Sequence, residues 1–183
     1  LTIGGLVGHH LAKKDTEILN CENKCEISIT STSTKGGTVR IGGISAYNEG
    51  KAFDNIIGNC KNSAPITVDG TRIASTHIGG ILASSSKTAA SSTALKITNC
   101  SNNGDITNKS INNETKNTKG FHMGGILGYC EKANFEAQDC INNGNVSNTG
   151  EMGDIGAVYA GGCFGNLRTD NITVTNCDNY GVV

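Results

Sequence analysis

The sequence has no tryptophan, one proline, four tyrosines and four phenylalanines in 183 residues. With so few large aromatic groups, a core has to be built from smaller side chains. No run of about 18 or more apolar residues occurs, so no helical membrane span is predicted. The formal net charge of −1 gives no electrostatic reason to expect nucleic acid or an anionic membrane as a partner.

Common catalytic motifs are also missing. The sequence contains neither a Gly-x-Ser-x-Gly nucleophile elbow nor a phosphate-binding loop. Its carboxylates are scattered, as at Asp15, Asp54, Asp69 and Glu131. No acidic pair recurs at equivalent positions, as a polysaccharide-cleaving groove would require. The sequence therefore predicts a non-enzymatic protein with no catalytic residue, metal ligand or cofactor.

One motif, apolar-x-Asn-Cys-x-Asn-x-Gly-x-apolar, is present five times with few substitutions. The copies cover residues 18–27, 57–66, 96–107, 137–146 and 174–183. Their cysteines are Cys21, Cys60, Cys100, Cys140 and Cys177, at intervals of 39, 40, 40 and 37 residues. Self-similarity at a nearly fixed period predicts a stack of like units.

A second landmark, a Gly-Gly pair among apolar residues, precedes each copy. The pairs begin at Gly4, Gly42, Gly79, Gly124 and Gly161. Both faces of the strand predicted around each pair are apolar, so its outward face needs cover from a loop, another part of a longer protein, or a partner. Polar insertions at 31–37, 84–94 and 109–119 are predicted to be loops.

Short runs rich in β-branched residues predict strands, and no window has helical periodicity. Three strands are predicted per unit: the Gly-Gly strand, the strand before Asn-Cys, and the strand opening at Ile27 and its equivalents. The expected fold is an all-β parallel β-helix of about five coils of roughly 40 residues. One coil per repeat is favoured over two. The single repeat domain, 1–183, divides into units of approximately 1–38, 39–76, 77–120, 121–157 and 158–183. Leu1 and Val183 both lie inside predicted strands, so the chain is expected either to belong to a longer protein or to pack its ends on neighbouring molecules.

The string Gly-Gly-Leu-Val-Gly at 4–8, followed by the Asn-Cys motif, resembles the GLUG-type repeat of bacterial surface proteins. All five units match. The resemblance implies a parallel β-helix in a secreted or cell-surface, outer-membrane-associated protein, such as adhesin-like proteins and regions beside immunoglobulin A peptidases. It implies no catalytic residue. Cys163 departs from the pattern by replacing an aliphatic residue, and Cys25 and Ala64 replace the late glycine.

The five repeated cysteines are interpreted as reduced packing residues that fill the coil interior with Ile66, Ile106 and Val146. Disulfide bridges and a metal site are the alternatives. Cys130 and Cys163 have no equivalents in the other units, which makes them the better candidates for a bridge. No Cys-x-x-Cys spacing occurs, so a zinc site is not predicted.

The asparagines before and after each repeated cysteine are predicted to form corners and to bond each other between coils. Gly104, Gly144 and Gly181 are expected to have positive φ angles at those corners. His77 and His122 both stand two residues before a Gly-Gly pair, so they are expected to be neighbours. They are interpreted as ordinary polar residues at a strand start, with a metal-holding pair as the alternative.

These features favour an adhesin-like surface or secreted scaffold that presents the 84–94 and 109–119 loops to a host protein or glycan. The alternatives are a carbohydrate-active β-helix, as a lyase or glycosidase, and a passive spacer beside another domain. Charged groups converging from adjacent coils would favour the enzyme. The sequence identifies no binding residue.

Overall fold

The computed structural model describes residues 1–32, 37–49, 53–71, 74–85, 93–112, 120–131, 134–152 and 156–183. In these ranges the chain forms 26 β-strands and no helix. No helical segment able to cross a membrane is found in this part of the chain. The strands form five parallel sheets, named A to E in the order in which each coil visits them.

Each coil begins with its sheet A strand. Coil 1 contains β1 (Thr2–Gly4), β2 (Val7–Leu11), β3 (Thr16–Leu19), β4 (Glu22–Asn23) and β5 (Ile27–Thr32). Coil 2 contains β6 (Thr38–Gly42), β7 (Ser45–Glu49), β8 (Asn55–Gly58), β9 (Lys61–Asn62) and β10 (Ile66–Thr71). Coil 3 contains β11 (Ser75–Gly79), β12 (Leu82–Ser85), β13 (Ala94–Thr98), β14 (Ser101–Asn102), β15 (Ile106–Asn108) and β16 (Ile111–Asn112). Coil 4 contains β17 (Gly120–Gly124), β18 (Leu127–Cys130), β19 (Asn134–Gln138), β20 (Ile141–Asn142), β21 (Val146–Asn148) and β22 (Glu151–Met152). Coil 5 contains β23 (Val158–Gly161), β24 (Phe164–Leu167), β25 (Asn171–Thr175) and β26 (Asp178–Asn179).

Equivalent residues of successive coils pair in register. In sheet A, for example, Ile41 pairs with Ile3 on one side and Ile78 on the other. This arrangement confirms the predicted parallel β-helix, which makes about four turns before the partial fifth coil. The prediction of three strands per coil is wrong, because the Gly-Gly pair divides its segment between sheets A and B. The motif after each repeated cysteine adds the two-residue strand of sheet D.

The Gly-Gly pair is a sharp bend directed into the molecule. A Cβ atom on Gly80 would lie 2.4 Å from Cγ of Asn102, a sheet D side chain on the far side of the coil. A Cβ atom on Gly79 would lie 1.8 Å from the Leu82 carbonyl oxygen and 3.0 Å from the Gly128 backbone nitrogen. The first glycine therefore lets sheets A and B meet back to back, and the second lets the bend touch sheet D. Any residue with a Cβ atom would clash at both positions, so both must be glycine.

The inward bend divides the apolar interior into two clusters. One cluster lies between sheets B and C and contains the buried cysteines; it includes Ile44, Leu82, Ile57, Leu95, Phe135, Cys60, Cys100 and Cys140. The other lies between sheets A and E and includes Val39, Ile41, Ile78, Met123, Ile66, Ile106 and Val146. The expectation that the cysteines pack with Ile66, Ile106 and Val146 is wrong, because the Gly-Gly bend and the sheet D asparagines stand between the clusters.

The outward apolar face predicted for the Gly-Gly strand is also absent in coils 2 to 4. Ile41 and Ile44 are fully buried, one in each cluster. A straight strand would place these residues on opposite faces, because their separation is odd. The bend between them instead turns both side chains inward, so no loop or partner is needed to cover them.

A column of asparagines runs through sheet D from coil 1 to coil 5, buried in coils 1 to 4 and exposed at its coil 5 end. Each side-chain nitrogen except that of the last member donates to the side-chain oxygen of the next member at 2.8 Å. Each also donates to a backbone carbonyl two residues along its own chain, at 2.7–2.9 Å. The members are Asn23, Asn62, Asn102, Asn142 and Asn179. The predicted bonding between coils is confirmed for this column, named here the asparagine ladder.

Positive φ angles occur one residue before each repeated cysteine. Asn20, Asn59, Asn99, Asp139 and Asn176 have φ between 50 and 56°, a conformation that asparagine and aspartate tolerate. The prediction of positive φ at Gly104, Gly144 and Gly181 is wrong. Glycine is needed at these positions because the coils stack closely: a Cβ atom on Gly104 would lie 2.0 Å from the Ala64 carbonyl oxygen of the preceding coil.

All eight cysteines are free thiols, including Cys130 and Cys163. Cys60, Cys100 and Cys140 are buried in the apolar cluster between sheets B and C, while Cys21 in coil 1 and Cys177 in coil 5 are half-buried. Each repeated thiol donates to the carbonyl oxygen two residues earlier, as Cys100 does to Thr98 at 3.3 Å. The Thr98 carbonyl oxygen also accepts from the Asn59 backbone N–H of the neighbouring coil at 3.0 Å, so the thiol adds a second hydrogen bond to it. An aliphatic residue has no donor for this bond.

The predicted loops are shorter than expected where the structure describes them. Strand β12 continues to Ser85 within the 84–94 insertion, and β16 lies within 109–119. Strand β16 pairs with β10 and β22 and so extends sheet E. The rest of these insertions at 86–92 and 113–119, and the segment 33–36, lie outside the described residues.

Replacing Asn102 with alanine removes three hydrogen bonds and leaves buried partners in the adjacent coils unsatisfied. We expect the free energy of unfolding to fall by about 3 kcal/mol. Asn103→Ala is the matched control, because the adjacent side chain is exposed and accepts one hydrogen bond from Asn143; we expect a change within about 0.5 kcal/mol. Urea denaturation followed by circular dichroism measures both, and equal effects would contradict a stabilising role for the ladder.

The thiols should differ in reactivity with an alkylating reagent. Hydrogen bonding with Cys140 and Cys60, together with burial, raises the pKa of Cys100, whereas Cys25 is exposed. Since the thiolate is the reacting form, we expect Cys25 to be modified first in the native protein and Cys100 to be protected. In denaturant without reductant all eight should react. Mass spectrometry that finds unmodified cysteines under those conditions would show that they are bridged.

Candidate functional site: a cleft between sheets A and B

The inward Gly-Gly bend makes the outward faces of sheets A and B the two walls of a cleft. Its volume is about 500 Å³. It is lined by Thr38, Arg40, His77, His122, Tyr129, Glu131, Tyr159, Asn166 and Arg168. These residues come from coils 2 to 5, so the cleft extends over about 14 Å at roughly 4.8 Å per coil.

The sheet A wall presents one register position of successive coils. This position is occupied by Thr2, Arg40, His77, His122 and Tyr159. The His122 ring stacks on Tyr159 with centroids 4.9 Å apart and planes 5° from parallel. His77 meets His122 edge-on, also at 4.9 Å. Parallel, in-register pairing thus turns a repeated sequence position into a continuous row of rings.

The sheet B wall contributes tyrosines that contact this row. The ring centroid of Tyr129 lies 4.7 Å from that of His77 and 4.8 Å from that of His122. In coil 2, Tyr47 lies beneath the guanidinium of Arg40, whose Cζ is 4.4 Å from the ring centroid. These contacts across the cleft fix the side chains of both walls.

The hydrogen bonds of His77 assign its proton to Nε2. The Ser75 hydroxyl donates its one proton to the Gly120 carbonyl oxygen at 3.0 Å. It therefore acts as the acceptor in its 3.1 Å bond with His77 Nε2, and that nitrogen is the donor.

His122 has the same tautomer. The Asn166 amide nitrogen lies 3.2 Å from His122 Nδ1. Because that amide group only donates, Nδ1 accepts and the neutral ring carries its proton on Nε2. Protonation at Nδ1 would remove this hydrogen bond unless the amide turned over.

Charged groups converge at both ends of the cleft. Arg168 pairs with Glu131 at the coil 4–5 end, with Nη1 and Oε1 3.6 Å apart. Burial and a hydrogen bond with Glu131 raise the pKa of the nearby Tyr129 phenol well above its ordinary value. Arg40 is the charged residue at the coil 2 end. Glu131 is the one carboxylate among the described residues that line the cleft.

A second, more open cavity of about 640 Å³ lies at the coil 1–2 end and includes Asp15 and Asp54. These carboxylates already serve the backbone: Asp15 accepts from the Asp54 N–H at 3.0 Å, and Asp54 accepts from the Ala94 N–H at 2.8 Å. They join one coil to the next, so the A/B cleft is the stronger candidate site.

The predicted proximity of His77 and His122 is confirmed, since the two residues pair in register. Within the described ranges, no group of three or more His, Cys, Asp or Glu side chains is arranged to hold a metal ion. Arg40, Tyr129 and Asn166 were not identified from the sequence. One signal was present: a small residue, Gly8, Ala46, Ala83, Gly128 or Gly165, always follows the first glycine by four positions. This spacing is consistent with the close packing of sheets A and B.

The class established by these features is a parallel β-solenoid with a polar, aromatic cleft. No family model, curated protein or solved structure matches the chain significantly. The GLUG-type resemblance therefore stays a prediction.

The assigned tautomer of His122 can be tested with Asn166→Asp. A carboxylate at this position would accept a hydrogen bond from a protonated Nδ1 and would therefore favour the imidazolium form of His122. We expect the midpoint of His122 protonation to rise by roughly one pH unit, as measured by NMR titration of the ring protons. Asn171→Asp is the charge-matched control, because this residue bonds Asn134 outside the cleft. Equal midpoints in the two variants would show that Asn166 does not contact His122.

Proposed function

We propose that this chain is a non-enzymatic binding module of a bacterial surface or secreted protein, adhesin-like in role, that holds a host glycan or extracellular protein. The observation that carries the proposal is the A/B cleft, where four rings, one amide group and two guanidinium groups from four coils line one cavity. Such a mixture of apolar faces and a few directed polar groups is typical of binding sites. The cleft replaces the 84–94 and 109–119 loops as the main proposed binding surface.

The scaffold favours binding because the cleft is built before a ligand arrives. Its wall residues stand on paired strands, and ring contacts within 5 Å fix their orientation. A preformed site loses less conformational entropy on binding than flexible loops do. The fixed cleft favours a binding module over the passive spacer.

A carbohydrate-active β-helix is the second candidate function, favoured by the convergence of Arg40, Glu131 and Arg168 in one cleft. Three observations support the binding module instead. Glu131 is already paired with Arg168, and described cleft residues supply no second carboxylate for a hydrolytic pair. The raised pKa of Tyr129 keeps its phenol protonated near neutral pH, which makes it a poor general base.

The proposal is tested with the isolated chain on arrays of glycans and extracellular-matrix proteins, beside a polysaccharide-degradation screen. We expect binding without degradation. Tyr159→Ala should weaken the binding of any array ligand by about tenfold, a loss of about 1.4 kcal/mol, because it removes the ring stacked on His122. Tyr180→Ala, at a tyrosine that is 71% exposed and not part of the cleft wall, is the matched control.

Three results would count against the proposal. Degradation that survives repurification would establish an enzyme. Ligand binding that is unaffected by Tyr159→Ala would place the site outside the cleft. A silent array would favour the spacer.

A further inference from the structure

Arg40 is a cation held in the cleft without an anion. It lies on β6 between Thr2 and His77 in the neighbouring coils. Its Nε atom is buried and has no hydrogen-bond partner. None of the ion pairs found among the described residues includes it. A buried donor left unsatisfied destabilises the protein unless another group completes it.

The neighbouring carboxylates are already engaged. Glu131 pairs with Arg168 at the opposite end of the cleft. Glu49, in the same coil as Arg40, lies 3.2 Å from His9 Nε2. With neutral histidines, the cleft wall has one positive charge in excess, from two arginines and one glutamate. This excess favours a ligand that brings its own negative charge.

The groups around Arg40 also restrict the shape of that ligand. Its guanidinium carbon lies over the Tyr47 ring, 4.4 Å from the centroid, and its remaining N–H groups can meet a carboxylate; guanidinium groups bind carboxylates through two parallel hydrogen bonds. Further along the wall, His77 and His122 are buried and support the Tyr159 ring, which is 43% exposed and offers an apolar surface, and Thr38 and Asn166 add hydrogen-bonding groups. A sugar ring has both an apolar face and a hydroxyl rim, so it matches this mixture better than a simple anion.

We propose that the cleft binds an acidic glycan, with the carboxylate of one sugar residue paired with the guanidinium of Arg40. The inference rests on the proposed binding function and specifies its ligand. The acidic sugar occupies the coil 2 end, and the remainder of the glycan extends along the ring-lined wall towards coil 5. Uronic acids and sialic acids both supply the required carboxylate.

The test measures the affinity of the intact 183-residue chain by calorimetry for oligogalacturonate and for sialyllactose. The methyl ester of each probe is measured in parallel, because esterification removes the charge and keeps the sugar ring. We expect at least one acid to bind, and its ester to bind at least tenfold more weakly. This comparison uses the native protein and does not depend on how a variant folds.

The protein side of the test uses Arg40→Gln, with Arg40→Lys as the conservative variant. We expect Arg40→Gln to weaken binding of the acid at least tenfold and to leave binding of the ester unchanged, and Arg40→Lys to restore part of the loss. Lys96→Gln is the charge-matched control, because Lys96 lies on sheet C, where it pairs with Glu136. We expect this substitution to leave the affinity unchanged. Circular dichroism and melting temperature establish that each variant is folded.

The outcomes separate this inference from the proposed function. Esters that bind as tightly as acids, or acid binding that survives Arg40→Gln, would overturn the role of Arg40 while leaving a glycan-binding cleft. Binding confined to neutral glycans or to acidic peptides would overturn the acidic-glycan ligand in the same way. Silence towards the acids and towards the glycan and protein arrays would overturn both proposals.

Discussion

The contact between the Gly-Gly bend and the asparagine ladder is the constraint on which the rest of this structure depends. The ladder places a row of amide groups in the middle of the coil, away from solvent, where each donor and acceptor needs a partner. Neighbouring asparagines and backbone carbonyls supply these partners. The bend then packs against the ladder at van der Waals distance, since no side chain separates Gly80 from Asn102.

Two consequences follow from that contact. The interior becomes two narrow apolar clusters, which isoleucine, valine, leucine and cysteine fill without many large aromatic residues. The exterior acquires a cleft, because a chain that bends inward brings two outward strand faces together. The unusual composition and the candidate site therefore have the same structural origin.

The coil stack was predictable because in-register parallel pairing converts a sequence period into spatial neighbours. The cysteine spacing alone brings Cys60 next to Cys100, and the Gly-Gly spacing brings His77 next to His122. The cleft was not predictable in the same way. Arg40 and Tyr129 lie 89 residues apart in different coils and on different sheets, and only the bend makes their faces opposite walls. An Ile-Gly-Gly-Ile string fits a straight strand as well as a bend when read by periodicity alone.

The cysteines show a similar limit. Burial of small apolar side chains explains why cysteine is tolerated in the coil, but valine and alanine would satisfy much the same requirement. The bond from each thiol to the carbonyl two residues earlier gives the additional reason. The residue between that carbonyl and the cysteine has a left-handed conformation, which composition and spacing do not reveal.

The separation of ladder and cleft also affects how such a protein can evolve. Asparagine occupies the ladder in every coil, while the equivalent cleft position holds threonine, arginine, two histidines and tyrosine. Substitutions at the cleft position leave the asparagine ladder intact, so ligand recognition can change one coil at a time. Gain or loss of a whole repeat by recombination would change the cleft length in steps of about 4.8 Å and preserve the register of every remaining coil.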